Sequence, residues 1–320
     1  MSTLVFLEHH GPVIQRGALG ALAKAAQIDP EPVGVVIGSG VREAAAAAGR
    51  YGAKRVFVAD DPALEAPLPQ PRVDVLSSLV REQGFDTVIF AASVLSADVA
   101  GGVAARLGAG LNWDLADLQR DGDDLVGKRS ALGDTVLVDV GWTSAPRLAL
   151  IRSGAFDPAE TGGEAPIEEI PVQLEDFSTR AEMVEQAHEE QTGPSIEEAD
   201  ILVTGGRGLG TPEKFSILEE LAAALGGAVA STRAVVDSGW YPYPTQVGQT
   251  GKVVSPKLYI GAGVSGAIQH KVGMQTSQTI VSINKDPNAP IFDFSDLGII
   301  GDLNDVVPKL TELVKERKAS

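Results

Sequence analysis

Leu258-Tyr259-Ile260-Gly261-Ala262-Gly263-Val264-Ser265-Gly266-Ala267-Ile268-Gln269-His270 is a short apolar run that ends in glycines and then turns helical. It reads as a buried parallel strand that delivers the chain to a helix N-terminus. Ser265 is the expected N-cap of a helix over 265–273, whose free N–H groups would favour an anion, and His270 falls one to two turns further in. The same pattern occurs at Ile201-Leu202-Val203-Thr204-Gly205-Gly206-Arg207-Gly208-Leu209-Gly210, where Arg207 supplies a fork suited to phosphate. A third stretch, Gln246-Val247-Gly248-Gln249-Thr250-Gly251-Lys252, is rich in side-chain donors and acceptors and reads as a loop at the sheet rim. In open α/β sheets, ligands bind beyond the carboxyl ends of the strands, where the strand order reverses. Together the three loops read as a dinucleotide site.

Working outward, further parallel strands are expected at 201–204, 228–230, 279–283 and 298–300. Helices at 213–225, 265–273 and 304–316 fill the gaps. The first half alternates in the same way. Strands 3–7, 33–37, 55–58 and 87–91 are uninterrupted apolar runs, and helices are expected at 17–27, 41–50, 73–83 and 97–107. After Gly110 the style changes to short β pieces at 117–119, 125–130 and 135–140. These are separated by Asp121-Gly122-Asp123 and Leu132-Gly133-Asp134, as in antiparallel hairpins. Residues 149–152 and 170–174 read as two more strands. The fold class is therefore α/β, with two doubly wound, Rossmann-like parallel-sheet domains, the first carrying appended antiparallel segments. Thr192-Gly193-Pro194 places the boundary near residue 193, giving domains 1–192 and 193–320.

Composition narrows the function classes. At 320 residues the chain exceeds one ordinary core, and with no cysteine it can form neither disulfides nor thiolate metal sites. No run of 18 apolar residues occurs, so no membrane span is expected. The first strand starts at Thr3 with no basic leader ahead of it, which points to the bacterial cytoplasm, a trimmed mitochondrial matrix protein being the alternative. Net charge is −17, and residues 157–200 carry fourteen Asp/Glu against one Arg. Such a chain lacks the basic footprint that nucleic acid requires. The acidic block reads as a solvated surface and linker, with the steering of a basic partner as the alternative. His9, His10 and His188 read as solvated or structural, and no general acid–base pair stands out.

Four motifs in order, namely Gly205-Gly206-Arg207-Gly208, Gln246 through Lys252, Ser265 through His270, and Ile283-Asn284-Lys285-Asp286-Pro287, closely resemble electron transfer flavoprotein alpha subunits. The match covers essentially all of 200–320. The resemblance implies FAD, bordered by Arg207 and Gly208. Thr232 and Arg233 would stand beside the isoalloxazine ring, where many family members carry Ser in place of Thr232. Val247, Gly248, Gln249 and Thr250 would line the flavin, with Thr250 near its reactive central ring. Ser265, Gly266, Ala267, Ile268, Gln269 and His270 would span pyrophosphate to pyrimidine edge, with His270 facing the carbonyl side. Asn284, Asp302 and Leu303 would hold the adenosine part.

The resemblance further implies a redox carrier rather than a substrate-converting enzyme. It would accept electrons from dehydrogenases such as acyl-CoA dehydrogenases and pass them to a membrane quinone oxidoreductase. An anionic flavin semiquinone would be stabilised by the helix N-terminus, Arg233 and His270. An electron transfer flavoprotein beta subunit would complete a heterodimer, packed against both domains, with the FAD domain able to swivel. Three alternatives stay open on the residues. These are an NAD-dependent two-domain dehydrogenase, a nucleotide-binding sensor-like module, and a bifurcating electron transfer flavoprotein with a second flavin on the beta subunit.

Overall fold

The computed structural model describes residues 2–122, 124–132, 136–152, 154–185, 195–197 and 199–319. The chain divides into two compact units, 1–188 and 189–320. The expected boundary near 193, the Thr192-Gly193-Pro194 loop and His188 lie outside the described residues, as do Asp123, Gly133 and Asp134 of the expected turns.

In the first unit the strands are β1 (Thr3–Phe6), β2 (His9–His10), β3 (Val13–Ile14), β4 (Val33–Gly38), β5 (Arg55–Asp60), β6 (Thr87–Ala91), β7 (Leu111–Asp121), β8 (Asp124–Ala131), β9 (Val136–Val140), β10 (Arg147–Ile151) and β11 (Ile167–Glu169). Helices α1 (Arg16–Ile28), α2 (Arg42–Ala47), α3 (Pro69–Gln83) and α4 (Val94–Leu107) connect them. Among the described residues, nine strands form one sheet in the order β11-β5-β4-β1-β6-β10-β7-β8-β9. It is parallel as far as β7, and β7–β8–β9 is antiparallel. The appended hairpins are thus part of the main sheet. β2 and β3 form a separate small hairpin, in which His9 and His10 lie.

Period-two alternation explains why these strands read as continuous apolar runs. Val5, Leu7, Val56 and Val58 face α1 and α2, whereas Leu4, Phe6, Phe57 and Ala59 face α3 and α4. Helix α3 starts four residues earlier than expected because Pro69 suits the first turn. The strand expected at 170–174 is displaced. β11 ends at Glu169, Ile170 N–H makes the last bond to Val58 (2.9 Å), and Pro171 has no N–H to continue the ladder.

The second unit is simpler. Its strands are β12 (Ile201–Gly205), β13 (Ala228–Thr232), β14 (Gln246–Val247), β15 (Leu258–Ala262), β16 (Ile280–Asn284) and β17 (Leu297–Ile300), with helices α5 (Phe215–Leu225), α6 (Arg233–Val236), α7 (Ile268–Met274) and α8 (Leu303–Ala319). Among the described residues these six strands pair in parallel throughout, in the order β14-β13-β12-β15-β16-β17. Val203, Ile260 and Ile283 pack on α5 and α8, while Leu202, Ala230 and Tyr259 pack with Val247 and Met274 on the other face. The order reverses at β12, since β13 and β14 lie to one side and β15 to the other. Among the described residues, no helix is long and apolar enough to cross a membrane.

Adjacent glycines in α4 have opposite roles. Gly101 is exposed, with nothing within 4 Å of an added Cβ, while a Cβ on Gly102 would lie 2.5 Å from Val73 of α3. Gly101→Ala is expected to stabilise by about 0.5–1 kcal/mol through helix propensity. Gly102→Ala is expected to destabilise by about 1–3 kcal/mol through overpacking. Urea midpoints of the two variants check this, and equal shifts would contradict the packing described.

Candidate functional site

Every loop singled out in the second half leaves the carboxyl edge of the six-stranded sheet. The carboxyl ends run in the order Val247, Thr232, Gly205, Ala262, Asn284 and Ile300 from β14 to β17. Five strand spacings make this edge about 24 Å long. At its centre, the switch between β12 and β15, two loops lock together by main-chain bonds. Gly206 N–H donates to Ala262 at 3.0 Å, and Gly208 N–H donates to Gly263 at 3.0 Å. A Cβ on Gly206 would meet the Gly263 carbonyl oxygen at 2.2 Å, and one on Gly208 would meet Gly263 Cα at 2.6 Å. Hence these glycines serve first to let two backbones touch, and the joined loops then present exposed Arg207 and Gly208 outward.

On the β14 side, Thr232 is half-buried at the end of β13, and Arg233 opens α6 with its guanidinium exposed and paired to Asp237 at 3.2 Å. Val247 and Gly248 are buried, whereas Gln249 and Thr250 are exposed. Gln249 N–H donates to the Gln269 carbonyl at 2.8 Å, which ties this loop to the Ser265–His270 segment. Ser265, Ala267, Ile268 and Gln269 are exposed along that segment.

On the other side lies a cleft of about 280 Å³, lined by Gly208, Lys214, Gly263, Asn284, Lys285 and Asp302 among others. Leu303 and Asn304 also reach it. Asn284 donates to the Val264 carbonyl at 2.9 Å and accepts from Asp286 N–H at 3.0 Å. Asp302 accepts from Asn304 N–H at 2.8 Å at the start of α8. That bond, then the Asn304 side-chain amide, and the charges of Lys214 and Lys285 hold its carboxyl below the usual carboxylate range. Two cations, a carboxylate and several main-chain edges thus meet at one end, a donor set suited to phosphate and ribose.

Two expectations change. The helix expected from Ser265 begins at Ile268, with Ala267 as its N-cap. Gly266 has φ +83° and packs against the Ile291 backbone, where a Cβ would lie 2.2 Å from nitrogen, and that conformation postpones the helix. Ser265 instead gives its carbonyl to Ile291 N–H at 3.1 Å. His270 therefore stands in the first turn, and its ring points inward rather than along the open edge. It is 7% exposed, with Nδ1 3.0 Å from the Val247 carbonyl and Nε2 2.6 Å from the Tyr259 hydroxyl. A carbonyl only accepts, so Nδ1 carries the hydrogen and Tyr259 donates to Nε2. Both ring nitrogens are then engaged with protein. Burial lowers the His270 pKa to about 4, against a smaller opposing effect of the Val247 bond, and burial likewise raises that of Tyr259.

Residues 3–175 match the electron transfer flavoprotein domain, and residues 195–275 match the electron transfer flavoprotein FAD-binding domain. The chain is 40% identical over 322 residues to the electron transfer flavoprotein subunit alpha of Mycobacterium leprae (strain TN), covering 98% of each chain. It is 42% identical over 319 residues to that of Mycobacterium tuberculosis (strain H37Rv), again covering 98% of each. With the Bacillus subtilis (strain 168) subunit alpha it shares 40% identity over 290 residues, 90% of this chain and 89% of the relative.

The chain belongs to the electron transfer flavoprotein alpha-subunit family.

The resemblance carried by the four motifs thus extends along nearly the whole chain, and FAD is the cofactor of the matched domain. In this electron transfer flavoprotein subunit, Lys214, Lys285 and Asn304 line the cleft and Gln246 and Tyr259 bond beneath the edge, and reading the loops in isolation passed over all five. Gln246, Tyr259 and Lys285 stood inside the quoted stretches. Lys214 and Asn304 had no local signal, because only the sheet order brings them together.

The buried neutral His270 gives a pH signature. Its folded pKa lies below the unfolded value, so below about pH 6.5 the unfolded chain takes a proton that the folded one refuses. Its stability contribution is fully present above that pH and is lost as pH falls toward 4, by roughly 3 kcal/mol. Urea unfolding between pH 7 and 4 should show that slope reduced in His270→Gln. An identical slope in both proteins would contradict the buried, neutral ring.

Proposed function

We propose that the carboxyl edge of the second unit seats FAD as a one-electron carrier, with the isoalloxazine ring toward β14 and the adenosine toward β16 and β17. The observation that carries this reading is the gathering of Arg207, Thr232–Arg233, Val247–Thr250, Ser265–Gln269, Asn284 and Asp302 on one edge of a parallel sheet. The flavin, when bound, supplies the exchange of electrons singly or in pairs, while the protein sets its binding, orientation and potential.

The residues divide by task. Lys214 and Lys285 offer charge to the phosphates in the cleft, and Asp302 offers an acceptor to ribose hydroxyls. Arg233 stands exposed beside the β14 loop, where its charge opposes the negative charge that reduction adds to the ring's carbonyl edge. Gln249 and Thr250 present polar side chains on that loop. His270 acts from below, fixing the Val247 carbonyl, so its part in tuning the ring is indirect. The role is that of a carrier, accepting electrons from primary dehydrogenases such as acyl-CoA dehydrogenases and passing them to a quinone oxidoreductase. An electron transfer flavoprotein beta subunit, packed on residues 1–192, completes the heterodimer.

Redox titration of the heterodimer tests the assignment of the ring end. Arg233→Ala should lower the first one-electron potential by some tens of millivolts, about 59 mV being a tenfold change in a one-electron equilibrium. An unchanged potential would contradict the ring's placement beside Arg233. Co-expression with a beta subunit should yield a 1:1 complex, and a chain that stays monomeric would refute the partner.

A further inference from the structure

Thr250 stands on the exposed rim of the loop after β14, yet it is held from beneath. Gln246, the first residue of β14, is 3% exposed, and its side-chain amide nitrogen donates to Thr250 Oγ1 at 3.1 Å. The Gln246 carbonyl accepts from Lys252 N–H at 2.7 Å, and Gly251 N–H donates to the Gly248 carbonyl at 3.0 Å. The Tyr243 hydroxyl donates to the Thr250 carbonyl at 3.1 Å. Main chain and side chain of Thr250 are therefore fixed by separate partners. β13 pairs with β14 through Ser231 and Thr232, so the loop starts beside the Thr232–Arg233 step.

A threonine hydroxyl has one hydrogen and two lone pairs. The Gln246 N–H can only donate, so it takes a lone pair of Thr250 Oγ1 and leaves the hydroxyl hydrogen to be given elsewhere. Among the described residues, Thr250 Oγ1 is seen to accept and not to donate. Its hydrogen is thus left for an acceptor outside these bonds, and Thr250 stands exposed on the open carboxyl edge. We infer that Gln246 is a positioning residue that makes Thr250 an obligate donor toward the bound flavin. This rests on the reading of that edge as the FAD seat. The buried amide sets the polarity of the exposed hydroxyl, much as a metal ligand's outer partner sets its tautomer.

The test is a double-mutant cycle on the FAD-loaded heterodimer, read by stepwise redox titration with visible spectra. A carboxylate at position 246 only accepts, so Gln246→Glu should draw the Thr250 hydrogen inward and remove the outward donor. The new negative charge alone also disfavours reduction, and Thr250→Val separates the two effects. We expect Gln246→Glu to change the reduced-to-oxidised ratio at fixed potential roughly tenfold more in the wild-type background than in the Thr250→Val background. Equal changes in the two backgrounds would overturn the inference. If Gln246→Glu fails to fold, Gln246→Met completes the same cycle. The effect of Thr250→Val should then shrink when Gln246 is replaced by Met, and an undiminished effect would overturn the inference. A wild-type heterodimer that carries no flavin would instead overturn the FAD reading, and the Gln246 assignment with it.

Discussion

The contact on which the second unit depends is the main-chain junction between the loops after β12 and β15. Gly206 and Gly208 N–H groups donate to Ala262 and Gly263, and a side chain at Gly206 would collide with the Gly263 carbonyl at 2.2 Å. Parallel strands that reverse their order leave a crevice at that point. Here the junction closes its floor and fixes where both loops exit. Arg207 on one side and Ser265 on the other take their positions from it, and the cleft toward Asp302 begins at Gly208 and Gly263.

Around this junction, polar residues fall into two layers. The outer layer (Arg207, Arg233, Gln249, Thr250, Ser265 and Asp302) is exposed and faces the edge. The inner layer (Gln246, Tyr259 and His270) is buried, and its bonds orient the outer one or the main chain beneath it. Burying these groups is tolerable because their bonds are made: Tyr259 to His270, His270 to Val247, and Gln246 to Thr250. Thr250 and the Val247 carbonyl on this edge are thereby held in fixed directions, which is preorganisation.

Much of this was legible in the sequence, for physical reasons. Strands β1, β4, β6, β12 and β15 are buried on both faces, so they stand out as apolar runs, and all but β1 end in glycine or alanine. The illegible parts depend on contacts distant in the chain. β14 is two residues long and begins with a glutamine, and only pairing with β13 makes it a strand. The delayed start of α7 comes from Ile291, 25 residues beyond Gly266. The inward turn of His270 is decided by Tyr259 and Val247, neither adjacent in sequence. Lys214 and Lys285 converge because β12 and β16 end on the same edge, which no local pattern encodes.

The most direct test of the account is the FAD affinity of Gly206→Ala beside that of Gly210→Ala, with far-UV circular dichroism as a check on folding. Gly210 ends the same loop, and a Cβ there meets nothing within 4 Å, although its φ of +86° imposes some backbone strain. If the joined loops form the floor of the FAD seat, Gly206→Ala should lose at least about tenfold in affinity, equivalent to roughly 1.4 kcal/mol, while Gly210→Ala loses clearly less. Wild-type affinity in a folded Gly206→Ala protein would contradict the account.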